Sequence, residues 1–331
     1  MISNGIAATI EGFAPPVISM TWFPTHERST ATAIMAAANY LGIAVSYVPS
    51  FIIPADGPLE NMETALTLVN IVIAIITFII LIFVIVKFPS KPPTPPSFTS
   101  THTKVGILKG LKSLVKNKKF WIIAVCCAWP LGICNMWFGV LGIILKQFKN
   151  IGIEQEHSGL IGILAVVAGC ICAVSAGIIA DKFDKKLKQI ITVMYLCSAA
   201  GFLWFSLMYN NVITPNIPSI YISIIIGCLC MNATYPLFFE MCMKEAFPIG
   251  ESSSAGFMIA LLALVQSIFL LVPLKEGSTE WMNWTLIGSI LTVVVVLFFF
   301  KENYKRLDID LKNENEDKQD NNMERQGSFI N

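Results

Sequence analysis

The chain has 331 residues, of which 55% are hydrophobic and only 14% charged, with a mean hydropathy of +0.67. That is more apolar material than one soluble core needs, and it comes in blocks of about 20 residues, the length that crosses a bilayer as a helix. An all-α, polytopic membrane protein is predicted, and a formal net charge of +1 gives no sign of a nucleic-acid partner.

In chain order, the first apolar run covers residues 2–22 and contains Glu11 and, near its end, Pro15-Pro16. It lacks the basic head of a cleavable signal peptide, so Met1 is expected to start within a span. Runs at 29–53 and 62–88 follow. The stretch Pro89-Ser90-Lys91-Pro92-Pro93-Thr94-Pro95-Pro96 is too Pro-rich for a helix. After it, Ile107, Leu108, Leu111, Leu114 and Val115 recur at helical spacing among lysines, the pattern of a basic amphipathic helix lying on an anionic membrane surface. Further spans are predicted at 119–146, 155–181, 188–210, 217–245, 250–274 and 279–301, about nine helices in all. The tail from residue 302 mixes both signs of charge with Asn and Gln and reads as disordered. The chain thus divides into residues 1–88, a linker at 89–118, six helices over 119–301, and the tail at 302–331.

One motif occurs twice. Phe23-Pro24-Thr25-His26-Glu27-Arg28-Ser29-Thr30-Ala31 returns as Phe247-Pro248-Ile249-Gly250-Glu251-Ser252-Ser253-Ser254-Ala255. Each copy closes one apolar run and opens the next, with Pro where a helix starts and Glu in its first turn, where exposed N–H groups favour an anion. Two related halves are implied. Lys and Arg fix their orientation: with the Pro-rich linker on the cytoplasmic side, nearly all basic residues lie there too, and only Lys146, Lys149 and Lys275 fall opposite.

Parallel halves joined by a long cytoplasmic loop are the plan of major facilitator transporters. Gly177-Ile178-Ile179-Ala180-Asp181-Lys182-Phe183-Asp184-Lys185-Lys186 resembles that superfamily's Gly-x-Leu-Ala-Asp-Arg-x-Gly-Arg-Arg loop, with Asp184 where Gly is usual. The Trp22-Phe23-Pro24 hairpin, Asn39-Tyr40-Leu41-Gly42, Tyr235-Pro236-Leu237-Phe238-Phe239-Glu240 and Glu245-Ala246-Phe247-Pro248 are similar to solute carrier family 49, the feline leukaemia virus subgroup C receptor family. The resemblance implies a major facilitator fold, N-terminally truncated, holding the equivalents of helices 4–12 without helices 1–3. Relatives carry choline and haem, and one is a lysosomal membrane protein linked to proton-driven export of pyridoxine. The resemblance therefore implies a small amine- or ring-containing solute, protons as co-substrate, and a lysosomal rather than plasma membrane. Tyr304-Lys305-Arg306-Leu307 fits an endolysosomal sorting signal or a charged membrane boundary with Tyr304 as anchor.

Candidate solute-binding residues are Asn135, Trp129 and Trp137 on the span at 119–146, and Asn232 and Tyr235 on the span at 217–245. Ala128, Gly132, Asn135 and Gly139 share one face, Pro130 loosens that helix, and rings beside amides suit a flat or cationic solute. The alternative is that the rings face lipid or core and the amides pair between helices. Glu11, near midplane with no basic neighbour, is a candidate proton-coupling carboxyl or a structural hydrogen bonder. Glu240 is a second such candidate, or else the partner of Lys244 one turn on. Asp181, with the hairpin charges Glu27, Arg28 and Glu251, is the candidate conformational switch. Continuing the small-residue stripe Ala165, Gly169, Ala173, Gly177 brings Asp181 to the start of the span at 29–53, whose own stripe is Ala38, Gly42 and Ser46. The nine Cys all fall inside apolar runs and read as packing.

No cofactor, metal site or catalytic constellation is evident: His26, His102 and His157 are isolated and no nucleophile or phosphate-binding spacing occurs. A secondary-active transporter working by alternating access is the leading reading. The alternative is a transport-incompetent truncated isoform or fragment that acts only by association with other membrane proteins.

Overall fold

The computed structural model describes residues 14–15, 17–46, 59–89, 107–153, 155–183, 186–246, 249, 251–272 and 279–300. Glu11, residues 90–106 of the linker and the tail from residue 301 with Tyr304 lie outside them. Helical residues 17–22 end at Phe23-Pro24, where Pro24 is extended (φ −66°, ψ 164°), and a 3-10 turn, Thr25–Glu27, leads into α1 (Arg28–Ser46). There follow α2 (Leu59–Lys87), α3 (Ile107–Lys116), α4 (Lys118–Gly139), α5 (Gln155–Lys182), α6 (Leu187–Tyr209), α7 (Ile217–Ala246), α8 (Glu251–Leu270) and α9 (Glu280–Phe299).

Seven of these, α2 and α4 to α9, are long and apolar enough to cross a membrane. The predicted first span falls mostly outside the described residues. Helix α1, diluted by Ser29, Thr30, Thr32 and Asn39, is not among the seven. The predicted span at 119–146 is also shorter. Helix α4 stops at Gly139, the chain turns at Val140, and a one-turn helix at Leu141–Leu145 and a 3-10 segment at Lys146–Ile151 carry it onward.

Local chemistry sets several of these ends. Asn117 caps α4, its side-chain oxygen accepting from the Lys119 and Phe120 amides at 3.1 and 3.2 Å. Asn216 does the same for α7 through the Ser219 amide, at 2.8 Å. Helix α6 ends where Asn211 takes a positive φ of 56°, which Asn tolerates better than most residues. Inside α4, Pro130 leaves the Cys126 carbonyl without its helical donor, and the buried Tyr195 hydroxyl of α6 donates to that carbonyl at 3.2 Å. The carbonyl freed by Pro130 is therefore satisfied by a specific bond from α6.

Helix α5 packs along α1 on one side and α7 on the other, α6 packs on α7 and α9, and α4 packs against α7, α8 and α9. Close crossings rest on small residues. A Cβ on Gly201 of α6 would sit 2.7 Å from the Gly227 amide nitrogen of α7, so these two backbones touch. A Cβ on Gly177 of α5 would meet Ala33 Cβ and the Ser29 carbonyl of α1, each at 2.9 Å.

The expected pairing of the spans at 29–53 and 155–181 is present, but through a different face of α1. Ala38 and Gly42 are exposed, and nothing lies within 4 Å of where a Gly42 Cβ would be. The buried face is Ser29, Ala33, Ala37 and Ala44. Gly169, expected in the same interface, instead packs on Asn232 of α7. Helix α2 is the outlier, since no described side chain in its apolar stretch is buried.

Candidate functional site

A cavity of about 410 Å³ opens between α1 and the four helices α4, α5, α7 and α8. Helix α1 contributes Asn39 and Tyr40, α4 contributes Cys134, Asn135 and Phe138, and α7 contributes Cys228, Asn232 and Tyr235. The remaining wall is aliphatic, with Val166, Ile259 and Leu262. The volume is at the lower end of the roughly 300–1,000 Å³ usual for small-molecule sites. Three carboxamides and two phenol hydroxyls converge on it, and none of the described lining residues carries a formal charge.

The aromatic wall runs across both segments. Tyr40 meets Tyr235 edge-on, with ring centroids 6.4 Å apart, and Tyr235 lies 4.7 Å from Phe239. Gly169 sets the position of Asn232, because any Cβ there would approach the Asn232 amide nitrogen to 3.2 Å. Pro236, four residues beyond Asn232 inside α7, has no N–H to offer the Asn232 carbonyl. The cavity-facing turn of α7 thus has a main-chain carbonyl that lacks its usual donor four residues on, next to a carboxamide and two rings. Such a set can hold a small polar or cationic solute by hydrogen bonds, ring stacking and cation–π attraction.

Of the predicted binding residues, Asn135, Asn232 and Tyr235 line this cavity and the two tryptophans do not. Trp129 is 50% exposed on the outer face of α4. Trp137 is fully buried on another side, its indole N–H donating to Asn283 of α9 at 2.6 Å and its ring edge-on to Phe202 and Phe205 of α6. It is a core residue. Tyr40 and Asn39 were visible in the sequence only as part of a family resemblance; neither charge nor spacing marked them as lining.

At the end of α5, Asp181 accepts from the backbone amides of Ser29 at 3.0 Å and Thr30 at 2.8 Å. These are first-turn amides of α1, with no carbonyl of their own helix to bond and at the positive end of its dipole. The bonds join the segment containing α1 to the six-helix segment at the end where the lysines gather. Midway along the same pair of helices the Cys170 thiol donates to the Ala37 carbonyl at 3.3 Å. Among the other hairpin charges, Arg28 is buried and donates from Nε to the Phe23 carbonyl at 3.3 Å, so it braces the hairpin from within. Glu27 is exposed, 3.6 Å from the exposed His26 ring. The Glu251 side chain lies outside the described residues.

Glu240 and Lys244 form an ion pair one turn apart on α7, with Oε1 and Nζ at 3.3 Å and side chains only 1% and 7% exposed. The second Glu240 oxygen has no hydrogen-bond partner among the described residues. The pair is not among the residues lining the cavity. Among the described residues no group of three or more His, Cys, Asp or Glu could hold a metal ion.

Residues 2–273 match the profile of the Major Facilitator Superfamily. The chain is 30% identical over 324 residues to the solute carrier family 49 member 4 homolog of Xenopus tropicalis, a match covering 93% of this chain and 70% of the relative. It is 25% identical over 300 residues to the choline/ethanolamine transporter flvcr2a of Danio rerio, covering 85% of this chain and 62% of that one. Among solved structures it superimposes on the fucose:proton symporter FucP of E. coli with a TM-score of 0.62 at 11% identity, over 89% of this chain and 74% of that one. The nearly all-helical architecture, the profile match over most of the length and the relatives agree. The chain belongs to the Major Facilitator Superfamily and, within it, to solute carrier family 49.

Proposed function

We propose that the chain carries a small organic solute across a membrane by alternating access, with the cavity between α1, α4 and α7 as the solute site. The observation that supports this reading most is the joint aromatic and carboxamide lining, in which Tyr40 and Asn39 come from one segment and Asn135, Asn232 and Tyr235 from the other. A solute held there touches both moving parts, which alternating access requires. The lining favours an amine- or ring-containing solute, of the choline or pyridoxine type. The relative named as a choline/ethanolamine transporter supports the amine half of that choice.

Proton coupling belongs to the same proposal. Glu11 and Glu240 are the candidate carboxyls, and the similarity to a fucose:proton symporter is consistent with a proton-driven cycle. Asp181 on the first turn of α1 is the proposed latch that closes the lysine-rich end. The lysosomal membrane is the proposed location, with residues 89–118 and the C-terminus cytoplasmic. The test is uptake of labelled pyridoxine and choline into proteoliposomes containing the chain in an acidic external buffer, with and without a protonophore. Saturable, protonophore-sensitive uptake of either solute is expected. Absence of uptake above empty liposomes for both would overturn the assignment.

A further inference from the structure

The outer face of α4 has a second concavity, away from the solute cavity. Trp121, Ile122, Val125 and Trp129 of α4 face Thr292, Val293 and Val296 of α9 across a groove of about 400 Å³ whose exposed surface is apolar, the Thr292 hydroxyl being turned to the Gly288 carbonyl of its own helix at 2.7 Å. Ile122, Val125, Trp129 and Val296 are 38–50% exposed, so the groove opens outward toward the bilayer. From Trp121 to Trp129 it runs about 12 Å along the helix. That is close to the ~15 Å depth of one leaflet's hydrocarbon.

The mouth of the groove is cationic. Lys118, Ile122, Val125 and Trp129 stand at i, i+4, i+7 and i+11, so Lys118 heads the stripe that forms the groove wall. Lys119 stands three residues before Ile122, beside it on the same side of the helix. Both lysines are exposed. Side chains on a helix lean toward its N-terminus, which carries these ammonium groups away from the apolar wall and toward the interface. The Trp121 indole N–H donates to the Val115 carbonyl at 3.1 Å and ties the mouth to α3, which buries Leu114 and leaves Lys112 and Lys116 exposed. This is the lysine-rich end of the bundle, and the bias of Lys and Arg toward the cytoplasm assigns it to the leaflet where acidic phospholipids reside.

We infer that the groove between α4 and α9 is a binding site for one acidic phospholipid, its headgroup phosphate on Lys118 and Lys119 and an acyl chain along Ile122, Val125 and Trp129. The two features are complementary to the two ends of such a molecule: an apolar-surfaced slot of leaflet depth and a pair of cations at its interfacial end. The position of Trp129, exposed yet lining a groove, is also accounted for.

The test is native mass spectrometry of the full chain released from nanodiscs of mixed phosphatidylserine and phosphatidylcholine. One phosphatidylserine retained several-fold in preference to phosphatidylcholine is expected. The Lys118→Gln/Lys119→Gln protein should lose that preference. Val125→Trp, which fills an exposed position in the slot, should reduce retention of both lipids. Soluble glycerophosphoserine, which has the headgroup and no chains, should not displace the bound lipid. Equal retention of the two lipids by the unaltered chain, unchanged phosphatidylserine retention in both variants, or displacement by glycerophosphoserine would overturn the site.

Discussion

Replacing Asp181 by Asn removes one charge and changes little else in shape. In the structure both carboxylate oxygens are in use, one on the Ser29 amide at 3.0 Å and the other on the Thr30 amide at 2.8 Å. Asn keeps one acceptor oxygen but turns an NH2 toward the second amide, donor against donor. A carboxylate at a helix N-terminus contributes about 0.3–1 kcal/mol when exposed and up to ~2 kcal/mol when partly buried. Asp181 is half-buried, so a loss of about 1–2 kcal/mol is the working figure. Because the bonds span the two segments, that energy acts on the opening equilibrium at this end more than on the fold. A change of 1–2 kcal/mol shifts such an equilibrium by roughly 5–30-fold. The assay is crosslinking of a cysteine pair at the exposed positions 26 and 182, in a background without the native cysteines, by a short bifunctional reagent. Asp181→Asn should cut the crosslinked fraction several-fold while leaving expression and thermal stability near those of the parent. Equal crosslinking with Asp or Asn at 181 would refute the latch.

Other consequences are open to direct measurement. Glu240→Gln removes the carboxylate paired with the buried Lys244 and should lower stability by up to about 3–5 kcal/mol, whereas Glu240→Gln with Lys244→Met should recover most of it; equal melting temperatures for the two variants would contradict the ion-pair reading. Gly177→Val drives side-chain atoms into Ala33 and the Ser29 carbonyl at a crossing where even a Cβ falls at 2.9 Å, and overpacking of this kind costs about 1–3 kcal/mol, readable as a lowered melting temperature and loss of the 26–182 crosslink. Glu11→Gln is expected to abolish the dependence of transport on a proton gradient with membrane abundance unchanged, and a retained gradient dependence would remove Glu11 from the coupling role.

The sequence was most legible where a physical period meets a chemical anchor. The Asp181 contact could be placed because a four-residue stripe along α5 ends on a carboxylate and the opposing segment begins with Pro24, which marks a helix start with free amides. Which face of α1 would receive that stripe could not be read. Ala31, Ala33, Ala36, Ala37, Ala38 and Gly42 put small residues on nearly every side, so periodicity alone does not choose between Ala33-Ala37-Ala44 and Ala38-Gly42-Ser46. Tryptophan was ambiguous for a related reason. In a membrane helix an indole can face lipid, core or cavity, and only the rotation of α4 separates Trp129 in an outer groove, Trp137 in the core and Asn135 in the cavity. Tyr40 was legible only by resemblance, since a single phenol in an alanine-rich helix has no periodic partner. Its place at the cavity emerges from Tyr235, 6.4 Å away on a helix nearly 200 residues later.

Whether the cavity between α1, α4 and α7 holds the transported solute is read directly by counterflow in proteoliposomes preloaded with unlabelled solute. The unaltered chain should accumulate the labelled form of whichever of choline and pyridoxine it carries. Asn232→Ala and Tyr235→Ala should each lose at least most of that accumulation, while Trp129→Leu, on the outer groove, should retain it. Full counterflow by both cavity variants, or its loss in Trp129→Leu alone, would mean that the solute is held elsewhere.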